Sequence, residues 1–174
     1  MIAFRHSDGR FPFLWEDANQ PSARWHREGE GPVQYLADTP DGAWAEFLRH
    51  EEITDEIDLE GISRALWAVS ITDENFATPL LTDDVVRGGT DSYEACQDEA
   101  ARLRAAGATA IRAGSAALER GAAGGWRVEA GLRPGADADG QVLVLFGTRP
   151  DATGWLIVDH GRPAAQLLPH VRPL

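Results

Sequence analysis

Cysteine is almost missing from the sequence, which carries only Cys96 in 174 residues. A single thiol excludes an intramolecular disulfide framework, and no cluster of cysteine and histidine has the spacing of a zinc site. We therefore expect Cys96 to be a small buried residue, and we expect no bound metal. A chain of this length buries enough surface to fold without such supports.

Long apolar runs are missing as well. No segment approaches the roughly 18 consecutive apolar residues that indicate a membrane-spanning helix. Residues 1–8 also lack the apolar centre of a signal peptide. These two absences predict a cytoplasmic protein with no membrane partner.

Basic residues are scarce relative to acidic ones, because 16 Lys and Arg stand against 28 Asp and Glu and the formal net charge is -12. Nucleic-acid binding relies on many Lys and Arg contacts with phosphates, so the composition argues against a nucleic-acid partner. It still allows a few local arginines to bind one small anion. Hydrophobic residues make up 43% of the chain, which is typical of a globular protein, and we expect a single domain over residues 1–174.

Turn residues and apolar periodicity predict several strands. Residues 1–32 are interrupted by Gly and Pro, and they indicate a short first strand followed by ordered loops whose aromatic side chains pack on the domain. The acidic segment 51–60 is expected to be a solvated connection. Further strands are predicted at 33–37, 66–71, 109–113, 141–146 and 155–158.

Two helices are predicted from their capping signals. Thr39 followed by Pro40 is a strong helix start, and this helix should run from about Pro40 to about His50. The second helix is expected to begin at a cap formed by residues 91–92 and to end at Gly107. The mixture of strands and helices predicts an α+β fold.

Four polar residues lie at the edges of predicted elements, where side chains can point into a cleft: Arg24, Tyr35, Glu46 and Ser115. Glu46 also stands beside apolar neighbours rather than on a clearly polar helix face. Each residue has an ordinary structural explanation. Arg24 could form a surface salt bridge, Glu46 could be a solvated acid, Tyr35 could be a core residue, and the Ser115 hydroxyl could cap a short helix at 116–118.

The sequence around these residues resembles the RES domain family, which is named for an Arg, a Glu and a Ser. The resemblance covers about residues 4–147, and its matching segments follow in order: Ser22-Ala23-Arg24-Trp25-His26, Tyr35-Leu36-Ala37-Asp38-Thr39-Pro40, Ala43-Trp44-Ala45-Glu46 and Ala113-Gly114-Ser115-Ala116. Arg5 resembles the arginine near the start of the family pattern. The chain departs from that pattern at Ala23, His26 and Gly114, where the family usually has Gly, Asn and Pro.

The resemblance implies a fold similar to ADP-ribosyltransferases, with central twisted β-sheets flanked by helices. It also implies an enzyme that breaks the nicotinamide–ribose bond of NAD, with water or inorganic phosphate as acceptor. NAD is then a substrate, and no cofactor is implied. Characterised members of the family are often toxins that an antitoxin protein neutralises.

The residue chemistry suits this reaction. An arginine guanidinium binds phosphate with two parallel hydrogen bonds, so Arg24 and Arg5 are expected to hold the pyrophosphate. Glu46 is expected to stabilise the cationic ribose that develops as nicotinamide leaves. Tyr35 can stack on the nicotinamide ring, and Ser115 can donate a hydrogen bond to the substrate but has no base to make it a nucleophile.

His6 and His26 are weaker candidates, although a histidine beside the ribose or the acceptor could titrate near neutral pH. We therefore expect catalytic roles for Arg24, Glu46 and Ser115, and substrate binding by Arg5, Arg24, Tyr35 and Ser115. Two alternatives stay open at this point: an ADP-ribosyltransferase acting on a protein or small molecule, and a non-catalytic interaction module of the same fold.

Overall fold

The computed structural model describes residues 1–72, 74–124, 126–128 and 132–174. The strands span β1 Ile2–Ser7, β2 Val33–Ala37, β3 Arg64–Ser70, β4 Phe76–Ala77, β5 Ala110–Gly114, β6 Trp126–Val128, β7 Leu132–Pro134, β8 Gln141–Phe146 and β9 Thr153–Gly161. Seven of them form one sheet with the order β4-β5-β8-β2-β1-β3-β9, and β6 and β7 form a separate two-stranded sheet. The α-helices are α1 Pro40–His50, α2 Asp83–Val86 and α3 Tyr93–Ala105. The expected α+β fold with helices flanking a sheet is confirmed.

The sheet is joined at its centre by a narrow link. Strands β1 and β2 pair only at Phe4 and Ala37, whereas β1 pairs with β3 at every position from Ile2 to Ser7. Beyond that single pair the two strands diverge, so Arg5 of β1 and Tyr35 of β2 do not pair and both line the gap between the strands. This divergence opens the sheet at the place where several of the sequence-predicted residues lie.

Alternate residues of β8 point to opposite faces, and both faces are buried. Val142 and Val144 pack with Cys96 of α3 in one cluster, while Leu143 and Leu145 pack with Ala3 and Val69 in another. The prediction that Cys96 is a small buried residue is confirmed, since its side chain is inaccessible to solvent.

Helix α1 starts and ends where its sequence predicts. The Thr39 hydroxyl accepts a hydrogen bond from the Gly42 amide at 3.0 Å, and Pro40 occupies the first turn, where its missing N–H is not needed. Trp44, Phe47 and Leu48 bury one face of the helix in a core cluster. This burial fixes the helix against β1 and β2 and orients Glu46.

The predicted cap of α3 is wrong in detail. A 3-10 turn at Thr90–Ser92 leads into the helix, so the Ser92 hydroxyl is not bonded to a helix amide. It donates instead to the Gly89 carbonyl at 2.7 Å and accepts from Arg24. Ser92 therefore supports the site rather than the helix end.

The aromatic residues of the N-terminal loops are only partly packed. Trp25 is almost fully buried as expected, but Phe11 is 63% exposed and Trp15 is 44% exposed. Both residues line a cavity instead of entering the core. The segment 51–60 is largely exposed, as expected of a solvated connection, and it contains part of a 3-10 helix at Glu56–Gly61.

In the described part of the chain, none of the helices has the length and apolar character needed to span a bilayer. Over the same residues, no group of His, Cys, Asp and Glu is arranged to hold a metal ion.

Candidate active site

A cavity of about 860 Å³ opens where β1 and β2 diverge. Its volume is in the range of protein sites that enclose small molecules. The walls come from β1, the loops at 8–17 and 23–25, β2, α1 and the start of α3. Four of the five sequence-predicted site residues line it: Arg5, Arg24, Tyr35 and Glu46.

The fifth predicted residue, Ser115, reaches the cavity through Glu46. Its hydroxyl donates to Glu46 Oε1 at 2.9 Å and accepts from the amides of Ala117 and Leu118 at 3.1 and 3.3 Å. Ser115 itself is 1% exposed. Ser115 therefore holds the Glu46 carboxylate in place, and its hydroxyl oxygen also stabilises the turn that follows β5. The structural explanation for Ser115 is a hydroxyl that caps a short helix at 116–118. The hydroxyl does accept from the backbone amides there, but residues 116–118 form no helix.

Burial raises the pKa of the Glu46 carboxyl, because loss of water destabilises the charged form. The hydrogen bond from Ser115 opposes this effect, as do the charges of Arg49 and Arg24. The result is a half-buried carboxyl group held next to positive charge in the cavity. Such a group interacts strongly with any cation that develops beside it.

Arg24 is 8% exposed and is fixed by loop groups rather than by an acid. Its Nη2 donates to the Gly88 carbonyl at 2.6 Å and its Nη1 donates to Ser92 Oγ at 2.8 Å. The guanidinium also lies over the Tyr93 ring, 4.8 Å from its centre. A surface salt bridge is therefore not the explanation for this arginine.

Arg49 is a site residue that the sequence reasoning missed. It lies three residues after Glu46 on α1, so both side chains reach the same cavity. Its Nη2 donates to the Gly88 carbonyl at 2.9 Å and its Nε donates to the Pro173 carbonyl at 3.0 Å. The spacing from Glu46 was the available signal, but a basic residue in the last turn of a helix is ordinarily explained by the helix dipole.

Tyr35 lines the cavity, and its hydroxyl is held by hydrogen bonds within the protein. The hydroxyl accepts from the Trp25 amide at 3.0 Å and lies 2.9 Å from His26 Nδ1. Burial raises the pKa of Tyr35 well above its usual value, so the phenol stays neutral. Burial likewise lowers the pKa of His26. His26, which replaces the usual Asn, thus acts as a neutral partner of Tyr35.

Arg5 and His6 form a second part of the cavity wall with Arg64. Arg5 Nη1 donates to Gln34 Oε1 at 2.7 Å, and Arg64 Nε donates to His6 Nδ1 at 3.0 Å. Burial, helped by nearby arginine charge, lowers the pKa of His6 to about 3, and burial lowers the pKa of Arg5 to about 10. Among the described residues, Arg5 and Arg24 share no hydrogen-bond partner.

Gly114, another departure from the family pattern, is explained by Arg87. A Cβ atom at position 114 would lie 2.8 Å from Arg87 Nη2. Arg87 is 4% exposed, and its guanidinium is fixed by Asp83 and by the carbonyls of Ser115 and Leu118. A glycine thus leaves room for the arginine that braces the Ser115 turn.

The comparisons with known proteins agree with this architecture. The family model of the RES domain matches residues 2–165. A solved structure, the crystal structure of the M. tuberculosis MbcT-MbcA toxin-antitoxin complex, aligns with a TM-score of 0.57 at 16% sequence identity. The alignment covers 97% of this chain and 86% of the other, and at that identity it supports the fold. A search of curated proteins gives no match. With nearly its whole length matched by the family model, the chain belongs to the RES domain family.

Proposed function

We propose that the chain binds NAD in this cavity and cleaves the bond between nicotinamide and ribose. The observation that carries the proposal is the Glu46 carboxylate, which accepts a hydrogen bond from the Ser115 hydroxyl at 2.9 Å and lies near Arg24 and Arg49 in the cavity. Membership of the RES domain family supports the same reaction. A carboxylate beside cationic groups matches a substrate that carries both a cationic ring and an anionic pyrophosphate.

In the proposed reaction, the bond between ribose C1′ and the nicotinamide nitrogen breaks. Its electron pair stays on nicotinamide, which leaves as a neutral ring, and the ribose becomes an oxocarbenium-like cation. The Glu46 carboxylate stabilises this cation. An oxygen of water or of inorganic phosphate then bonds to C1′, and with water one proton is released to solvent.

We further propose that the chain is the toxin of a toxin–antitoxin pair. The structural neighbour is a toxin–antitoxin complex, and loss of NAD would account for toxicity. Expression in bacteria should therefore lower cellular NAD and stop growth, whereas the Glu46→Gln variant should do neither at equal protein level. Growth arrest that persists with Glu46→Gln would contradict this link.

Product identification tests the chemistry directly. Purified protein is incubated with NAD, with and without millimolar phosphate, and the products are separated by chromatography. Nicotinamide with ADP-ribose would identify water as acceptor, and nicotinamide with phosphorylated ADP-ribose would identify phosphate. Absence of nicotinamide in both mixtures would contradict the proposal, as would an added ADP-ribosyl mass on a protein in place of the free products.

A further inference from the structure

Two arginine side chains meet at one backbone oxygen in the cavity. The Nη2 atoms of Arg24 and Arg49 donate to the Gly88 carbonyl at 2.6 and 2.9 Å. The two guanidinium groups are therefore close neighbours, separated by at most two hydrogen-bond lengths. Arg24 is 8% and Arg49 is 5% exposed, and both line the cavity.

In the described part of the chain, this pair of positive charges forms no ion pair with a carboxylate, although the charge of Glu46 acts on both arginines from within the cavity. Among the described residues, no Asp or Glu lies within ion-pair distance of Arg24 or Arg49. Their partners are neutral: the carbonyls of Val85, Gly88 and Pro173, the Ser92 hydroxyl and the Cys96 thiol. By contrast, the equally buried Arg87 pairs with Asp83 at 3.0 Å.

Burial, together with the charge of Arg24, lowers the pKa of Arg49, and the charge of Glu46 opposes this effect, because desolvation and a like charge disfavour the cation whereas an opposite charge favours it. Glu46 supplies at most one negative charge for two buried guanidinium groups, so an anion bound beside them would offset the remaining positive charge. A phosphoryl group is negatively charged, and its oxygens match the paired N–H donors of guanidinium.

We propose that Arg24 and Arg49 together form a phosphoryl subsite, with Arg49 as a binding residue in its own right. The bonds to Gly88, Pro173 and Ser92 hold the two guanidinium groups side by side and leave further N–H donors of each for the ligand. The subsite lies near Glu46, because the charges of Arg24 and Arg49 both lower the pKa of that carboxyl. This inference rests on the proposed function only for the source of the phosphoryl group.

That source is either the pyrophosphate of the dinucleotide or free inorganic phosphate acting as acceptor. Isothermal titration calorimetry with ADP-ribose and with inorganic phosphate separates the two. If phosphate competes with ADP-ribose, the subsite holds the pyrophosphate. If phosphate binds in the presence of saturating ADP-ribose, the subsite holds the acceptor. Both outcomes support a phosphoryl subsite, and neither requires turnover.

The test compares the wild type with Arg49→Met. Loss of charge-assisted hydrogen bonds should weaken binding of the phosphoryl probe roughly 10- to 100-fold. Arg49→Lys keeps the charge but lacks the planar fork, so its affinity should lie between the two. Arg149→Met is the control outside the cavity: Arg149 also donates to a backbone carbonyl, that of Phe146 at 2.6 Å, but it pairs with Glu74 at 2.9 Å and does not line the cavity. The affinity of Arg149→Met for the phosphoryl probe should stay within about twofold of the wild-type value.

A purely structural role for Arg49 predicts a different pattern. Each variant is heated with and without the probe, and the ligand-induced rise in Tm is compared with that variant's own baseline. The proposal predicts that this rise is lost with Arg49→Met and kept with Arg149→Met. It is overturned if the wild type binds neither probe, or if Arg49→Met binds as tightly as the wild type. Nicotinamide release is measured separately, so a protein that binds phosphate but leaves NAD intact would contradict the proposed function and leave the subsite standing.

Discussion

The carboxyl group of Glu46, which we propose acts in catalysis, is destabilised in its ionised form by its own burial. This carboxyl is half-buried beside apolar residues of α1, and burial raises its pKa above the ordinary value. A group whose pKa is raised in the folded protein favours folding while it is protonated, and this contribution is lost as pH rises through the folded pKa. Ionised Glu46 therefore lowers the stability of the protein near neutral pH.

The Glu46→Gln variant should consequently be more stable than the wild type at pH 7. Glutamine keeps an oxygen that accepts from Ser115 and removes the buried charge. Thermal unfolding of both proteins from pH 4 to pH 8 should show a Tm difference that grows with pH. A variant that is less stable than the wild type at pH 7 would contradict this account of the carboxylate.

The hydrogen bond from Ser115 changes the pKa of Glu46 in the direction opposite to burial. The Ser115 hydroxyl donates to Glu46 at 2.9 Å, which lowers the pKa of Glu46 and partly offsets the burial effect. Removing this donor with Ser115→Ala should raise that pKa further. The acid limb of the kcat/KM profile for NAD cleavage should then move to higher pH, since the reaction needs the ionised carboxylate. An acid limb that is unchanged or moves to lower pH would exclude Glu46 as the titrating group.

At the scale of elements, α1 carries both Glu46 and Arg49 into the cavity on one helix. Thr39 caps its first turn through the Gly42 amide at 3.0 Å. Thr39→Ala removes this bond and should lower the free energy of unfolding by about 1 kcal/mol. Chemical denaturation measures the change, with Thr39→Ser as the control that retains the hydroxyl. Equal losses for the two variants would show that the cap does not stabilise the helix.

Local signals explain why α1 could be predicted and the bracing of Ser115 could not. Thr39 and Pro40 mark the helix start within adjacent residues, and the structure places the helix at Pro40–His50 as expected. Arg87, in contrast, reaches the Ser115 carbonyl across 28 residues of sequence, and a lone arginine in an acidic segment carries no pattern that indicates this contact. Interactions between distant segments leave little trace in a single sequence.

The whole molecule sets the position of the site through the way its sheet divides. The alternation of strands and helices was predictable, but the divergence of β1 from β2 after one residue pair was not. That divergence creates the cavity and places Arg5 on one wall and Tyr35 on another. The resemblance of the short segments around Arg24, Glu46 and Ser115 indicated the candidates, whereas Arg49 emerged only when the fold brought it beside Arg24 at Gly88.

The rate of nicotinamide release from NAD by Glu46→Gln tests the central claim most directly. Asp41→Asn, a change on the same helix but outside the cavity, is the matched control. We predict that the wild type and Asp41→Asn release nicotinamide at similar rates, while Glu46→Gln folds, binds NAD and releases nicotinamide roughly 100- to 1000-fold more slowly. Release by Glu46→Gln at the wild-type rate would contradict the assignment of this carboxylate to the cleavage of NAD.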